Sequence, residues 1–344
     1  MIHTPTFAQR VHGCLLAGAL GNAIGRQSAA AAQPGGSRAP VRSFGRETQL
    51  TLYTVDGLLD ALEWANGGVA ADETACLWLA YLRWARSQGV EQDPSVPVPP
   101  ARWLDAQPVM HHRLQPSDSS GALPDSTLAG LERPEMGTRH RPVNTASADA
   151  GALARSAPFG LLPHLPGSML DRLVLDAAAL SHGHPQAQSA AVVFAGMIHS
   201  LVGAGSCGEQ TLEAAIQHAE SLGDPALAGL LRSARQYSGD GTASIAEVLP
   251  APKSAWSAGE ELAVAVWAVL GARGEGPAAK LENALERATS HDFPAATTGS
   301  LAGNLAGALY GAAALPSTPL ETLDGADVLR QMAASFVTAT SPAP

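Results

Sequence analysis

The chain has 344 residues, of which 46% are hydrophobic and only 15% charged, and a formal net charge of −10. That is enough apolar side chain for one large core, and the acidic balance argues against nucleic acid or an anionic membrane as a partner, since either calls for a basic surface. Cys14, Cys76 and Cys207 stand far apart without CxxC spacing, so neither a disulfide framework nor a zinc site is indicated.

Residues 1–10 lack the basic, apolar, small-residue order of a signal peptide, and no apolar run reaches ~18 residues, so the expectation is a soluble, cytoplasmic protein. Residues 6–25 read as a helix with Cys14, Gly18, Gly21 and Gly25 on one face and Asn22 beside it. Glycine inside a helix costs about 1 kcal/mol against alanine, so such a face needs a close-packing reason. Residues 26–42 are rich in Ala, Gly, Pro and Ser and read as a surface loop. A polar loop, Gly45-Arg46-Glu47-Thr48, then enters a long amphipathic helix. Its core face is Leu50, Tyr53, Gly57, Leu58, Ala61, Leu62 and Ala65. A third helix is expected over Asp72–Ser87.

Residues 93–142 contain nine prolines and few apolar runs, which predicts a long irregular excursion. Its His111-His112-Arg113 cluster reads as an exposed basic patch. From Ser147 onward, period-3.6 spacing predicts helices near 169–182, 186–202, 208–222, 226–237, 257–273, 277–290 and 299–314. No run alternates as a strand does, so the expected fold is all-α, a single-domain bundle over 1–344 with 315–344 as a C-terminal extension. Gly299, Gly303, Gly307 and Gly311 recur four apart, a ridge suited to meet the glycine face of the first helix. Glu260 and Glu261 are expected on a helix, one of them solvated. Neither a Ser-His-Asp nor a Cys-His set is apparent, and no phosphate-cradling glycine loop follows a strand.

Seven blocks, in order from residue 10 to 311, resemble the ADP-ribosylglycohydrolases, the all-α family of dinitrogenase reductase-activating glycohydrolase. GCLLAGALGNAIG is similar to the family's opening helix, and GRETQLTLYTVDGLL to its Thr-Asp-Asp-Thr-Gln helix start. YLRWARSQG fits the third helix. RPVNTASADAGALARSAPFGLL resembles the central Asn-x-Ser-Lys-Gly segment, ALSHGHPQA the Thr-His-x-His-Pro turn, and WSAGEELAVAVWAVL the Glu-Ala-Leu-Ala helix. SHDFPAATTGSLAGNLAGALYG resembles the last loop and helix.

What the resemblance implies is a cleft holding two Mg²⁺ or Mn²⁺ ions through paired aspartates, which position a ribose and an attacking water at a glycosidic bond to ADP-ribose. This chain departs from that pattern. Arg46 and Glu47 match the two aspartates of the first loop, Thr48 is retained, Pro294 and Ala296 match those of the last loop, and Asn22 stands for an aspartate. The expectation is therefore that no metal and no other cofactor binds. Arg46 reads either as a partner for phosphate or ribose oxygens or as an ion-pair partner of Glu47 or Asp292. Candidate ligand-binding residues are Asn22, Arg46, Thr48, Asn144, Ser147, His182, His184, Asp292, Thr297 and Thr298, with Glu47 as the one catalytic candidate, a general base. Three functions are expected to compete: a metal-free binding protein for ADP-ribose, a nucleotide or an ADP-ribosylated protein partner; a hydrolase with a rebuilt, metal-independent site; and a scaffold.

Overall fold

The computed structural model describes residues 4–32, 43–112, 126–203, 208–239, 249, 256–291 and 294–341. Among them there are helices and no strands, so the all-α expectation holds. In chain order the α-helices are α1 (Phe7–Ala32), α2 (Arg46–Asn66), α3 (Glu73–Ser87), α4 (Ser126–Leu131), α5 (Ala157–Gly160), α6 (Gly167–Ala179), α7 (Pro185–Val202), α8 (Gly208–Ser221), α9 (Pro225–Ser238), α10 (Ala258–Leu270), α11 (Gly276–Thr289), α12 (Ala295–Tyr310), α13 (Ser317–Glu321) and α14 (Ala326–Thr340).

The centre is the α1–α12 pair, and glycine is what brings the two together. A Cβ added at Gly303 would stand 2.1 Å from the carbonyl oxygen of Ala17, and one at Gly21 would stand 2.0 Å from that of Gly299. Gly13 and Gly307 face each other in the same way. The ridge expected from the sequence is therefore a backbone-to-backbone seam. Within the seam the Asn304 amide donates to the carbonyl oxygen of Cys14 at 2.9 Å and ties the two helices together.

Three expectations are corrected. Helix α1 does not end at residue 25 but runs to Ala32, because alanine at 29–32 is the best helix former and no proline intervenes before Pro34. The described part of the excursion, 93–112 and 126–142, is irregular but holds short turns that the sequence did not indicate: 3₁₀ turns at Trp103–Ala106 and Pro108–His111 are clamped onto α2 by Arg102 and Arg83, and α4 lies at Ser126–Leu131. Within the expected C-terminal extension, the described residues 315–341 pack into the core. Helix α14 buries Leu329, Met332 and Phe336 against α1 and α2, an i, i+3, i+7 pattern that the sequence reading passed over.

On α2 the apolar face is buried as far as Ala61, while Ala65 is exposed in the last turn. His111 and His112 are exposed, as a surface patch requires. No described helix is long and apolar enough to cross a membrane.

Candidate functional site

Arg46, Glu47 and Thr48 are not loop residues. They form the first turn of α2, with Gly45 as the N-cap, and they are held there by Asn22 on α1. The Asn22 carbonyl oxygen accepts from the Gly45 N–H at 2.6 Å and from the Thr48 hydroxyl at 3.2 Å. That fixes the amide orientation, and its Nδ2 donates to Glu47 Oε2 at 2.9 Å and to the Ala296 carbonyl at 3.1 Å. The other carboxylate oxygen of Glu47 lies 3.4 Å from the Thr297 hydroxyl and 3.7 Å from the Arg46 guanidinium. Three sequence candidates from three elements, Asn22, Arg46 and Thr297, therefore converge on Glu47, and Thr48 supports Asn22.

A second cluster stands on the loop before α5. Asp149 Oδ2 accepts from Ser147 at 2.5 Å, and Oδ1 accepts from the Gly151 N–H at 2.9 Å and faces His182 Nε2 at 2.8 Å. Burial opposes ionisation of Asp149, yet the hydrogen bond and charge of His182 and the hydroxyls of Ser126 and Ser147 outweigh it. The carboxyl is held far below the usual carboxylate range. Behind His182, Ser181 bonds Nδ1 at 2.8 Å and accepts from Arg155 at 2.6 Å. Arg155 can only donate, so Ser181 accepts from it and links the guanidinium to the imidazole. This Ser-His-Asp file is not a nucleophilic triad. Its serine is fully buried, and its lone pairs face a guanidinium.

Helix α10 joins the two clusters. Its start is pinned to the Asp149 loop by the Ala258 N–H, which donates to the Ala148 carbonyl at 2.8 Å. Glu260 closes a capping box with Ser257, which turns the next residue, Glu261, inward. Glu261 is 5% exposed and its Oε2 has no hydrogen-bond partner. Burial first, then the charges of Asp149 and Glu47, push its carboxyl well above the usual range, against the Thr297 hydrogen bond and the charge of Arg46. The carboxyls of Asp149 and Glu261 are thus shifted in opposite directions, one down and one up.

Neither Asp149 nor Glu261 was a sequence candidate. The sequence offers Glu261 only as half of a helical acidic pair. The signal for Glu261 was available: Ser257-x-x-Glu260 spells a capping box, and the helix behind it is otherwise apolar all round.

The other candidates divide. Ser147 lies in the Asp149 cluster. Asn144, at φ +50, donates to the carbonyls of Ser126 and Ser181 and ties the loop together. His184 caps α7, its Nδ1 accepting from the Gln186 N–H at 3.2 Å. Thr298 is fully buried and donates to the Ala288 carbonyl at 2.7 Å. Asp292 lies outside the described residues.

The donors can be weighed against a pair of hard cations, which want free oxygen acceptors. Glu47 is engaged by an amide N–H, a hydroxyl and a guanidinium, Asp149 by a hydroxyl, a backbone N–H and an imidazole, and the Glu261 carboxyl is pushed well above its usual range by burial. Among the described residues no group of three or more His, Cys, Asp or Glu is arranged to hold a metal ion.

Residues 3–343 match the family described as ADP-ribosylglycohydrolase. A solved structure described as an ADP-ribosylglycohydrolase-related protein complex superposes with a TM-score of 0.63 over 97% of this chain and 99% of the other, at 22% identity, which speaks to the fold. No curated relative matches.

Proposed function

Since this chain belongs to the ADP-ribosylglycohydrolase family, we propose that it keeps the family cleft as a metal-independent binding site for an ADP-ribosyl group and does not carry out metal-dependent hydrolysis. One observation carries this reading. Around Glu47, the positions where hard cations would need open oxygen acceptors are taken by Asn22 Nδ2 and the Arg46 guanidinium, both obligate donors there. A divalent ion beside Arg46 meets repulsion where it needs ligands.

The residues present suit an anionic ligand with hydroxyl groups. Arg46, whose side chain is 23% exposed beside Glu47, turns to a phosphate, while Glu47, Asp149 and Ser147 accept from or donate to ribose oxygens. The cytoplasmic location belongs to the same proposal.

The test is a thermal-shift titration of the full chain with ADP-ribose in EDTA, and then with Mg²⁺ or Mn²⁺. Stabilisation by ADP-ribose in EDTA, unchanged by either metal, is the expected result; stabilisation that requires the metal overturns the reading.

A second reading is favoured by the opposite shifts of the Glu261 and Asp149 carboxyls, one raised and one lowered, since a pair so tuned is what general acid–base hydrolysis uses. In that reading Glu47 activates a water and Arg46 stabilises the departing group. Release of ADP-ribose from an ADP-ribosylated protein in EDTA, abolished by Glu47→Gln, is its signature; no release leaves the binding reading alone.

A further inference from the structure

A cavity of about 480 Å³ opens at the far end of the bundle from Glu47. Phe7 at the start of α1, Leu162 and Pro163 between α5 and α6, and Val202 at the end of α7 give it apolar walls. Two helices set its distance from the cleft. Phe7 precedes Asn22 along α1, and His199 follows the His182 turn along α7, by about four turns in each case, which is on the order of 20 Å. The volume falls among those of small-molecule sites, roughly 300–1,000 Å³.

Its polar groups are few. Among the described residues that line it there is no Lys, Arg, Asp or Glu. Arg10, one turn along α1 from Phe7, is engaged by the carbonyls of Ala308 and Leu309. The hydroxyls of Thr340 and Ser341 donate to the carbonyls of Phe336 and Val337, each at 2.7 Å. The imidazoles of His164 and His199 line the cavity and meet no hydrogen-bond partner among the described residues. His164 also stands at φ +58, in the left-handed region that costs an L side chain stability. Among the described residues only Asn144 shares that conformation without being glycine, and its amide is tied to two backbone carbonyls. His164 has no such tie, so the fold gains nothing visible from its strain.

We propose that this cavity binds an uncharged aromatic small molecule of about two rings, whose polar edge bonds the imidazoles of His164 and His199. An ion entering it would leave water without meeting a countercharge. A saturated hydrocarbon would cover the walls and strand both imidazoles. A metal ion would find two histidines and no third ligand, since no group of three or more His, Cys, Asp or Glu is arranged for one among the described residues. A flat ring stacks on Phe7 and Pro163, and a neutral imidazole supplies one donor and one acceptor to a polar edge. The site is separate from the ADP-ribose cleft, and either can fail without the other.

The experiment is a ligand-observed NMR titration of the full chain with three probes that share one two-ring body. They are tryptophol, which is neutral, tryptamine, a cation, and indole-3-acetate, an anion. Tryptophol should bind at least about 5-fold more tightly than either ion, and His199→Leu should lose about 5-fold for it. Val202→Trp fills the cavity and should abolish binding. His164→Gly relieves the left-handed strain, so it should melt no lower than wild type and still bind tryptophol more weakly. Weaker binding by a variant that is no less stable separates a ligand contact from a structural role. The proposal is overturned if tryptophol does not bind, if the three probes bind equally, or if His164→Gly and His199→Leu both bind as wild type does.

Discussion

Gly303→Ala should destabilise the protein by about 3 kcal/mol or more in urea unfolding, the cost of overpacking a seam that cannot give way. The new methyl would meet the carbonyl oxygen of Ala17 at 2.1 Å, the carbonyl carbon of Ala17 at 2.6 Å and the Cα of Gly18 at 2.9 Å. All three are backbone atoms of α1, so no side chain can turn aside, and the helices must separate. The control is Gly229→Ala in α9, where an added Cβ meets nothing within 4 Å. That substitution should stabilise by up to about 1 kcal/mol through helix propensity alone. Opposite signs for the same chemical change test whether the seam, rather than helix propensity, governs. A Gly303→Ala variant within about 0.5 kcal/mol of wild type sinks the argument. The loss should reach the site as well. Asn22 on α1 bonds the Ala296 carbonyl of α12, and Glu47, which Asn22 holds, faces Thr297, so parting the helices should abolish ADP-ribose binding.

The seam was legible in the sequence because its cause is steric. Glycines at 18, 21 and 25 and at 299, 303 and 307 cost helix stability, so their spacing announces a close neighbour. The convergence of Asn22, Glu47 and Thr297, separated by up to 275 positions, has no such local signature. It was reached only through resemblance in ordered blocks. Glu261 and Asp149 were missed for a different reason. Their roles come from burial and from each other, and a single acidic residue on a helix or in a loop looks the same whether it faces water or a buried carboxylate. The run of alanines after Gln27 has the low complexity of a loop, but its helix propensity prevails and α1 continues to Ala32. The clamp that orders residues 102–112 pairs arginines with carboxylates from three separate segments, and no periodicity reports that.

That clamp gives the second large effect. Arg83→Met should cost about 3–5 kcal/mol, the range for removing one partner of a buried ion pair. The Arg83 guanidinium contacts Asp56, and both side chains are only 6% exposed; its Nε also meets Asp105 at 3.0 Å. Arg102 adds bonds to Asp56 at 3.0 Å, Asp60 at 3.2 Å and Glu63 at 2.9 Å, and Tyr53 donates to Asp105 at 3.0 Å. Without Arg83 the cluster keeps its carboxylates and loses half its positive charge.

The pH dependence has a definite sign. Burial already raises the Asp56 carboxyl, against the opposing charges of Arg83 and Arg102, and removing Arg83 raises it further. A carboxyl raised in the folded state binds more protons there than in the unfolded chain, so its contribution to stability falls as pH rises above the unfolded value. The Arg83→Met deficit should therefore be larger at pH 8 than at pH 5. Asp56→Asn placed on top of Arg83→Met should recover part of it, because the uncompensated charge is gone. A deficit that is the same at both pH values, or that Asp56→Asn deepens, shows that Arg83 acts through packing alone.

The clamp also bears on the site through Gln49, two residues beyond Glu47. Gln49 donates to the His112 carbonyl at 3.1 Å and accepts from Trp84 at 3.0 Å, so the excursion and α3 together hold the first turns of α2. Loosening it should weaken ADP-ribose binding in Arg83→Met even under conditions where the variant remains folded. Unchanged affinity in the folded variant would mean that Asn22 alone positions Glu47.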